Sequence, residues 1–269
     1  MDRAGGENFP VASRMLPRRV RAHLLALYGF ARLVDTAGDE LAGDRLVALD
    51  SLESDLERVW HGDPAHPLLR GLAPTVAECG LPIEPFRRLI EANRLDQVKR
   101  TYATRQELLS YCALSANPVG ELVLGVFGAA TPERIARSDA VCSGLQLTEH
   151  WQDVAEDHRA GRIYLPAADR ERFGVAEVEL GGGACTPAFR ALMAEEVVWA
   201  RGLLSDGAPL IGMLSGRASL AVAAFVAGGR SALEAIERAG YDVLGGRPRP
   251  GRARRATVLL ATLLRRGRG

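Results

Sequence analysis

Helical periodicity runs through almost the whole 269-residue chain, and segments typical of β-strands are nearly absent. Stretches rich in Ala, Leu, Arg and Glu lie between Pro and Gly breaks, and their apolar residues recur three and four positions apart. That spacing places apolar side chains on one face of an α-helix. Because no repeat, linker or change in composition divides the chain, the pattern predicts one all-α domain over residues 1–269.

The Pro and Gly breaks set the expected bounds of the helices. A first helix ends near Glu40, and the later ones cover residues 46–60, 67–78, 85–100, 106–127, 132–157, 188–204 and 216–240. Asn117-Pro118 falls inside the segment 106–127, where a proline removes a hydrogen bond and kinks the helix. The glycines at 181–183 predict a loop, and residues 247–269 an Arg-rich C-terminal tail or helix.

A stripe of polar residues crosses the first apolar helix. Its members, spaced three or four apart, are Tyr28, Arg32, Asp35 and Asp39. Residues at this spacing share one face of a helix. Burying an Arg and two carboxylates among apolar side chains costs free energy unless the charges are compensated. A compensating partner is therefore expected at this face.

A matching stripe is predicted on the helix over residues 132–157. Its members are Gln146, Glu149, Asp153 and Asp157. Carboxylates four residues apart provide the oxygen ligands that Mg²⁺ takes together with phosphate oxygens, and Arg32 and Arg162 offer donor forks to phosphate. From spacing alone two interpretations stay open: a metal and diphosphate site, or solvated helix faces. His150, between the acidic residues, could face the cavity or merely pack, and packing is the preferred interpretation.

Composition excludes several other classes of function. The net charge of +1 predicts no nucleic-acid partner, and a Schiff-base mechanism would have Lys99 as its one candidate. The four cysteines are far apart and fit reduced cytosolic thiols: Cys79, Cys112, Cys142 and Cys185. We find no secretory signal and no apolar run near the roughly 20 residues of a spanning helix. The chain is therefore expected to be cytoplasmic.

The Arg-rich tail allows two interpretations, one of which involves contact with a membrane. Arginines flank a short apolar run over residues 256–264. Such a segment could lie on anionic lipid, giving peripheral contact with the inner face of the membrane. The alternative interpretation is a final helix packed on the domain with a solvated end.

Taken together, these motifs resemble the squalene/phytoene synthase family. They are Tyr28-x-x-x-Arg32-x-x-Asp35-x-x-x-Asp39, Tyr111-Cys112 with Asn117-Pro118-Val119-Gly120, Gln146 with Gln152-Asp153 and Asp157, Arg162-Ile-Tyr164, and Gly240-Tyr241-Asp242-Val243. Within the family, residues 7–13 and 115–120 and Trp151-Gln152-Asp153 are most similar to the hydroxysqualene synthases of bacterial hopanoid pathways.

This resemblance implies an isoprenoid synthase-type helical bundle around a central cavity. It also implies that presqualene diphosphate is ionised and rearranged with Mg²⁺, and that water captures the cation. The implied metal ligands are Asp35, Asp39, Asp153 and Asp157, with Glu149 assisting. Arg32 and Arg162 would bind phosphate, Tyr28 and Tyr164 would carry or orient a proton, and Gln146 and Asn117 would orient ligands or water.

Three positions depart from the family pattern. Glu149 stands where Asn is usual, Gln152 replaces a frequent Arg, and Gly229 lies about where many relatives have a cavity tyrosine. Two rivals therefore remain. One is head-to-head condensation of farnesyl or geranylgeranyl diphosphate to presqualene diphosphate, squalene or phytoene. The other is a non-catalytic lipid-binding or assembly factor, against which the four retained aspartates argue.

Overall fold

A computed structural model describes residues 16–251, 257–259 and 261–262. In this part of the chain the regular structure is helical, and the one β-bridge joins Thr101 to Ile163. The prediction of an all-α chain is confirmed. The segment 7–13 and most of the tail 247–269 lie outside the described residues.

The helices follow one another with short connections. They are α1 Arg18–Asp35, α2 Arg45–His61, α3 Pro67–Cys79, α4 Glu84–Val98, α5 Arg105–Ser115, α6 Asn117–Val126, α7 Pro132–Gln152, α8 Val154–Arg159, α9 Ala167–Phe173, α10 Pro187–Gly207, α11 Leu210–Met213 and α12 Gly216–Arg238. A π-helical turn, Thr36–Glu40, follows α1, and a 3₁₀ helix, Glu177–Gly181, follows α9.

The Pro and Gly signals place most of these helix ends correctly, and α3 shows why. It begins at Pro67, whose fixed φ suits the first helical position. His66 caps it by accepting a hydrogen bond from the Leu68 N–H through its ring. It ends at Cys79, and the residue that follows, Gly80, has a φ of +61°, a left-handed conformation that glycine adopts without strain. The break before Pro118 is also confirmed, since α5 ends at Ser115 and α6 begins at Asn117.

Two sequence expectations about the acidic helices need correction. The segment 132–157 is two helices, because Asp153 leaves helical geometry with φ −111° and ψ 15° between α7 and α8. The first helix reaches Glu40 as expected, but its last turn is π-helical, closed by the Leu41 N–H donating to the Thr36 carbonyl at 3.1 Å. The short helices α9 and α11 and the 3₁₀ helix were not predicted, since they are too short to show a period.

The described residues fall into two compact units. The first contains the residues up to Lys99 together with Ala113–Ile135, and the second contains Arg100–Cys112 together with those from Ala136 onward. Each unit carries one of the two acidic motifs. That residues 1–269 form a single domain remains a prediction.

The first unit has an apolar core that holds the C-terminal end of α1. Phe86 of α4 is fully buried and packs edge-on against Phe30, with ring centroids 5.0 Å apart, and against Trp60 at 5.6 Å. Fully burying a side chain of this kind contributes about 1.5–3 kcal/mol. Val34, the residue before Asp35, is also buried. This packing fixes the backbone from which the first acidic motif projects.

In the second unit, glycine permits close packing beneath α7. A Cβ at Gly229 of α12 would stand 2.7 Å from Leu145 and 2.9 Å from Leu204. Such distances are shorter than packed side chains tolerate. Gly229 therefore lies in tight helix packing, which leaves no space for a side chain such as the tyrosine that many relatives have about here.

A buried ion network joins three helices of the second unit. Arg105 of α5 donates to Asp169 of α9 at 2.9 Å and to Glu196 of α10 at 3.1 Å. Glu196 is fully buried, and its second oxygen has no hydrogen-bond partner among the described residues. Burial raises the pKa of Glu196 to about 7, although the Arg105 guanidinium opposes the rise.

We expect Glu196→Gln to flatten the pH dependence of stability. The folded-state pKa exceeds the ordinary value of 4.5, so the folded protein holds the extra proton and the free energy of unfolding falls as pH rises from about 4.5 to about 7. Urea unfolding at pH 5 and pH 7.5 measures this fall. Glu195→Gln, on the exposed side of the same network, is the control. This variant should show the same fall in the free energy of unfolding as wild type. A Glu196→Gln protein with the unchanged pH slope would contradict the assignment.

Among the residues that the structure describes, two segments are long and apolar enough to cross a membrane, contrary to the sequence expectation. They are Arg105–Val126 and Gly216–Arg238, with mean hydropathies of 1.2 and 1.3. The first is interrupted between α5 and α6. The second, α12, is largely buried and packs on α10 and α11. Core helices of globular proteins commonly have this composition, so length and hydropathy alone are weak evidence for a span.

Candidate functional site

The first acidic motif lies where α1 passes into the π-helical turn. Asp35 is the last residue of α1, and Asp39 lies within the turn. The Arg32 guanidinium is 3.4 Å from Asp35 Oδ2 and 3.5 Å from Glu40 Oε1. These four side chains line one concave opening of about 620 Å³. The structure thus brings Arg32, Asp35 and Asp39 together, as their spacing predicts.

Tyr28, the first member of the predicted stripe, lies one helical turn before Arg32. It is half-buried on α1. The described residues that line the opening are Arg32, Asp35, Asp39 and Glu40, and Tyr28 is not one of them. Its predicted part in proton transfer stays a prediction.

Helix α4 supports this motif from behind. Gln97 donates to the Gly38 carbonyl in the π-helical turn at 3.0 Å, and the Asn93 side chain hydrogen-bonds to Asp35. Burial raises the pKa of Asp35, opposed by the Arg32 guanidinium and the Asn93 hydrogen bond and reinforced by the Asp39 carboxylate. Neither α4 residue was singled out from the sequence, because their roles depend on tertiary contact.

Gly38→Ala is expected to damage the first motif. The added Cβ would overlap Asn93 Oδ1 and stand 3.0 Å from its Cγ, so Asn93 must move and release Asp35. Overpacking of this kind costs about 1–3 kcal/mol, which urea unfolding can measure. Gly71→Ala is the matched control: that exposed glycine of α3 has nothing within 4 Å of an added Cβ. It should gain about 0.5–1 kcal/mol. Equal stabilities for the two variants would contradict this packing.

The second acidic motif lies at the junction of α7 and α8. Asp153 forms the break between the helices, and Asp157 follows in the first turn of α8. The C-terminal segment covers this junction: Arg247 Nη1 is 3.1 Å from Asp153 Oδ2, and Gln152 donates to the Pro248 carbonyl. Sequence reasoning missed Arg247 as a site residue. The one feature of the sequence that could have drawn attention to Arg247 is its position at the start of the Arg-rich tail.

The carboxylates of this motif have unfulfilled hydrogen-bonding capacity. Asp153 Oδ1 and Asp157 Oδ2 are buried and have no hydrogen-bond partner among the described residues. Burial raises the pKa of Asp153 to about 6, the Arg247 guanidinium opposes the rise, and the neighbouring Asp157 carboxylate adds to it. Buried, unpartnered carboxylate oxygens are costly.

A hard divalent cation is suited to such oxygens, because Mg²⁺ prefers carboxylate ligands and completes its shell with water and phosphate. No three His, Cys, Asp or Glu side chains in the described ranges converge as a preformed metal cluster. The chemistry of the carboxylate pair, with one buried unpartnered oxygen on each residue, fits a hard cation.

His150 has a larger part than the packing role expected from sequence. It is buried on α7 and stacks on Tyr164, with ring centroids 3.5 Å apart and an interplanar angle of 15°. Its Nδ1 is 3.6 Å from Asp157 Oδ2, and its Nε2 is 3.0 Å from Nε2 of Gln146. Gln146 therefore contacts His150, a partner that spacing four residues apart on one helix could have suggested.

Around His150 lies a buried aromatic cluster. Tyr102, Tyr111 and Tyr164 pack with ring centroids 5.4–5.8 Å apart. A narrow crevice of about 10 Å³ beside it is lined by the side chains His150, Val154, Asp157, Arg162, Ile163, Tyr164, Leu165 and Leu180. The turn that follows α8 brings Arg162 to this crevice. In that turn Gly161 adopts a φ of +75°, and the Arg162 N–H donates to the Asp157 carbonyl at 2.9 Å.

The remaining predicted residues are placed individually. Glu149 is half-buried on α7, one turn before Asp153. Asn117 is the buried first residue of α6, in the first unit. The structure therefore assembles two partial sites: Arg32, Asp35 and Asp39 in one unit, and His150, Asp157, Arg162 and Tyr164, with Asp153 adjacent, in the other. That all four aspartates share one cavity stays a prediction.

Comparison with known proteins yields one family and several relatives. The sequence model of the family described as squalene/phytoene synthase matches residues 2–256. A hydroxysqualene synthase of Rhodopseudomonas palustris is 38% identical over 208 residues, covering 76% of this chain and 70% of that protein. A phytoene synthase of Thermus thermophilus is 34% identical over 246 residues, covering 91% and 84%.

Solved structures share the fold. Squalene synthase HpnC from Alicyclobacillus acidocaldarius superposes with a TM-score of 0.82 at 44% identity, covering 86% of this chain and 88% of that one. A dehydrosqualene synthase in complex with ligand gives a TM-score of 0.87 at 23% identity, covering 99% and 94%. At that identity the second likeness shows the fold alone. The expectation of an isoprenoid synthase-type helical fold is confirmed.

Proposed function

The chain belongs to the squalene/phytoene synthase family, and on that premise we propose that it converts presqualene diphosphate to hydroxysqualene in a Mg²⁺-dependent reaction. Members of this family are prenyl-transferring enzymes that act on prenyl diphosphates. The observation that carries the proposal is the second acidic motif, where Asp153 and Asp157 each keep a buried carboxylate oxygen without a hydrogen-bond partner among the described residues. The hydroxysqualene synthase among the relatives supports this choice of reaction.

In this proposal the two acidic motifs hold the metal. The proposed ligands are Asp35, Asp39, Asp153 and Asp157, with Glu149 assisting. When bound, Mg²⁺ neutralises charge on the diphosphate and makes it a better leaving group. The Mg²⁺ requirement is part of the proposal.

Three guanidinium groups are proposed to bind the diphosphate. Arg32 lines the opening with Asp35 and Asp39, and Arg162 lines the crevice with Asp157. Arg247 is paired with Asp153, so its guanidinium lies beside a proposed metal ligand, within reach of a diphosphate bound there. Planar guanidinium forks suit the two acceptor oxygens that a phosphate offers.

The proposed reaction breaks the carbon–oxygen bond of the substrate, and its electron pair leaves with diphosphate. The resulting cation rearranges, a water oxygen bonds to carbon, and that water gives up one proton. Aromatic faces in the substrate cavity would attract such a cation by up to about 2 kcal/mol when desolvated, and the buried cluster of Tyr102, Tyr111 and Tyr164 lies beside the crevice that Asp157 and Arg162 line. Tyr28 and Tyr164 are proposed to orient the groups that carry the proton, and Gln146 and Asn117 to orient ligands or water.

We also propose a cytoplasmic location with peripheral contact at the inner face of the membrane. The apolar substrate and product, together with arginines flanking an apolar run in the tail, support it.

One experiment separates this reaction from its condensing rival. Purified protein is given Mg²⁺ without NADPH, and either presqualene diphosphate or farnesyl diphosphate is added separately, with products identified by mass spectrometry. Hydroxysqualene formed only from presqualene diphosphate is the expected result. Presqualene diphosphate, or any other coupled C30 product, formed from farnesyl diphosphate would move the assignment to condensation.

A further inference from the structure

His150 is held on three sides, which fixes the plane and the direction of its ring. Stacking on Tyr164, at 3.5 Å between centroids, fixes the plane of the imidazole. Within that plane, one ring nitrogen faces the Gln146 amide and the other faces Asp157. The side chain is only 10% exposed, so water has little access to either nitrogen.

These contacts select one tautomer of the ring. An amide nitrogen is a donor only, so Gln146 Nε2 at 3.0 Å requires His150 Nε2 to accept. The ring proton then sits on Nδ1, directed at the Asp157 carboxylate. The opposite assignment would point a nitrogen lone pair at a carboxylate, which is repulsive. Both neighbours therefore favour the same arrangement.

Asp157 is the group that this proton can position. Its Oδ2 is buried without a hydrogen-bond partner among the described residues, and it lies 3.6 Å from His150 Nδ1. That distance is longer than a hydrogen bond, and a small rotation of the carboxylate closes it. A donor beside Oδ2 fixes the plane of the carboxylate, and because each carboxylate oxygen has two lone pairs, Oδ2 can accept from His150 and still bind a cation. In metal sites, hydrogen bonds to the ligating carboxylates fix their orientation in this way.

We propose that His150 is a positioning residue that orients the Asp157 carboxylate for metal binding, with Gln146 fixing the tautomer. This rests on the proposed function, since Asp157 is a metal ligand only if the reaction uses Mg²⁺. Neither the acidic spacing nor the family resemblance assigns His150 a role. It contributes through Asp157 and makes no contact with the reacting carbon in this scheme.

Two variants separate its hydrogen-bond donor from its ring. His150→Asn keeps a donor near the position of Nδ1 and loses the stacking, whereas His150→Phe keeps the stacking and loses the donor. Binding is measured with Mn²⁺ in the presence of inorganic pyrophosphate, by electron paramagnetic resonance of the free ion. The Mg²⁺ dependence of turnover is measured in parallel.

His150→Phe is expected to weaken Mn²⁺ binding about 10- to 100-fold and to recover most of its kcat at saturating Mg²⁺, while His150→Asn stays within a few-fold of wild type. If His150→Phe does not fold, Gln146→Met tests the same claim and should weaken binding in the same direction by a smaller factor.

Equal Mn²⁺ affinity in wild type and His150→Phe, or equal losses in the Asn and Phe variants, would overturn the positioning role. Wild type that binds no Mn²⁺ would overturn both this role and the metal in the proposed function. Normal Mn²⁺ binding, lost in His150→Phe, in a protein that does not turn over presqualene diphosphate would overturn the reaction alone.

Discussion

Asp35→Asn and Asp153→Asn should each lower turnover of presqualene diphosphate by more than about a hundredfold while the protein stays folded. Removing a hydrogen-bonding partner of a metal ligand already costs about 10- to 100-fold, and these substitutions replace the proposed ligands themselves. Asn keeps the size of Asp and one carbonyl oxygen, so packing is preserved. Single-turnover kinetics at saturating Mg²⁺, with thermal unfolding of each variant, measures both outcomes.

Asp153→Asn should not lower the free energy of unfolding measured without added metal. Burial raises the pKa of Asp153 to about 6 from 3.8, so this carboxyl makes the folded state less stable as pH rises from about 3.8 to about 6. Asp153→Asn removes that dependence, and Arg247, one-third exposed, can be solvated instead. Asp206→Asn, at an exposed acid of the second unit, is the control and should leave activity unchanged. Full activity in both Asp35→Asn and Asp153→Asn would refute the metal assignment.

Removing divalent cations should abolish turnover as completely as the substitutions do. A chelator followed by desalting is expected to leave no detectable product, and adding Mg²⁺ or Mn²⁺ should restore it. Ca²⁺ should restore far less, because it prefers six to eight ligands at longer distances, about 2.3–2.6 Å.

Binding should also be visible without turnover. Ligands that bind only the folded state raise its stability, so Mg²⁺ with inorganic pyrophosphate should raise the unfolding temperature of wild type and should have little effect on Asp153→Asn. Undiminished turnover after chelation would contradict the requirement for metal.

Local signals in the sequence were sufficient for most of the fold. Pro67 and Gly80 bound α3 because proline suits the first helical turn and glycine the left-handed residue after the last. Pro118 separates α5 from α6 because it has no N–H to donate. Such signals act over a few residues, so they can be recognised without knowledge of tertiary contacts.

The same local rules could not reveal how the acidic motifs depart from regular helix. A spacing of four residues is compatible with α-helix, with the π-helical turn that contains Asp39, and with the break at Asp153. Tertiary contacts decide among them: Gln97 of α4 binds the carbonyl of Gly38, and the segment after Gly246 packs on Asp153.

Residues distant in sequence were the ones missed in the candidate site. Arg247 pairs with Asp153 across more than ninety positions, and Asn93 reaches Asp35 from another helix. His150 was interpreted as a packing residue because spacing does not show which way a ring faces. Its stack on Tyr164 and its approach to Asp157 are properties of the folded second unit.

Turnover of presqualene diphosphate in water enriched with ¹⁸O tests the central claim most directly. If the carbon–oxygen bond ionises and water captures the rearranged cation, the hydroxyl of hydroxysqualene carries ¹⁸O and the released diphosphate carries none. Label found in inorganic phosphate or diphosphate, with an unlabelled alcohol, would show that a phosphorus–oxygen bond had been cut and would contradict the mechanism.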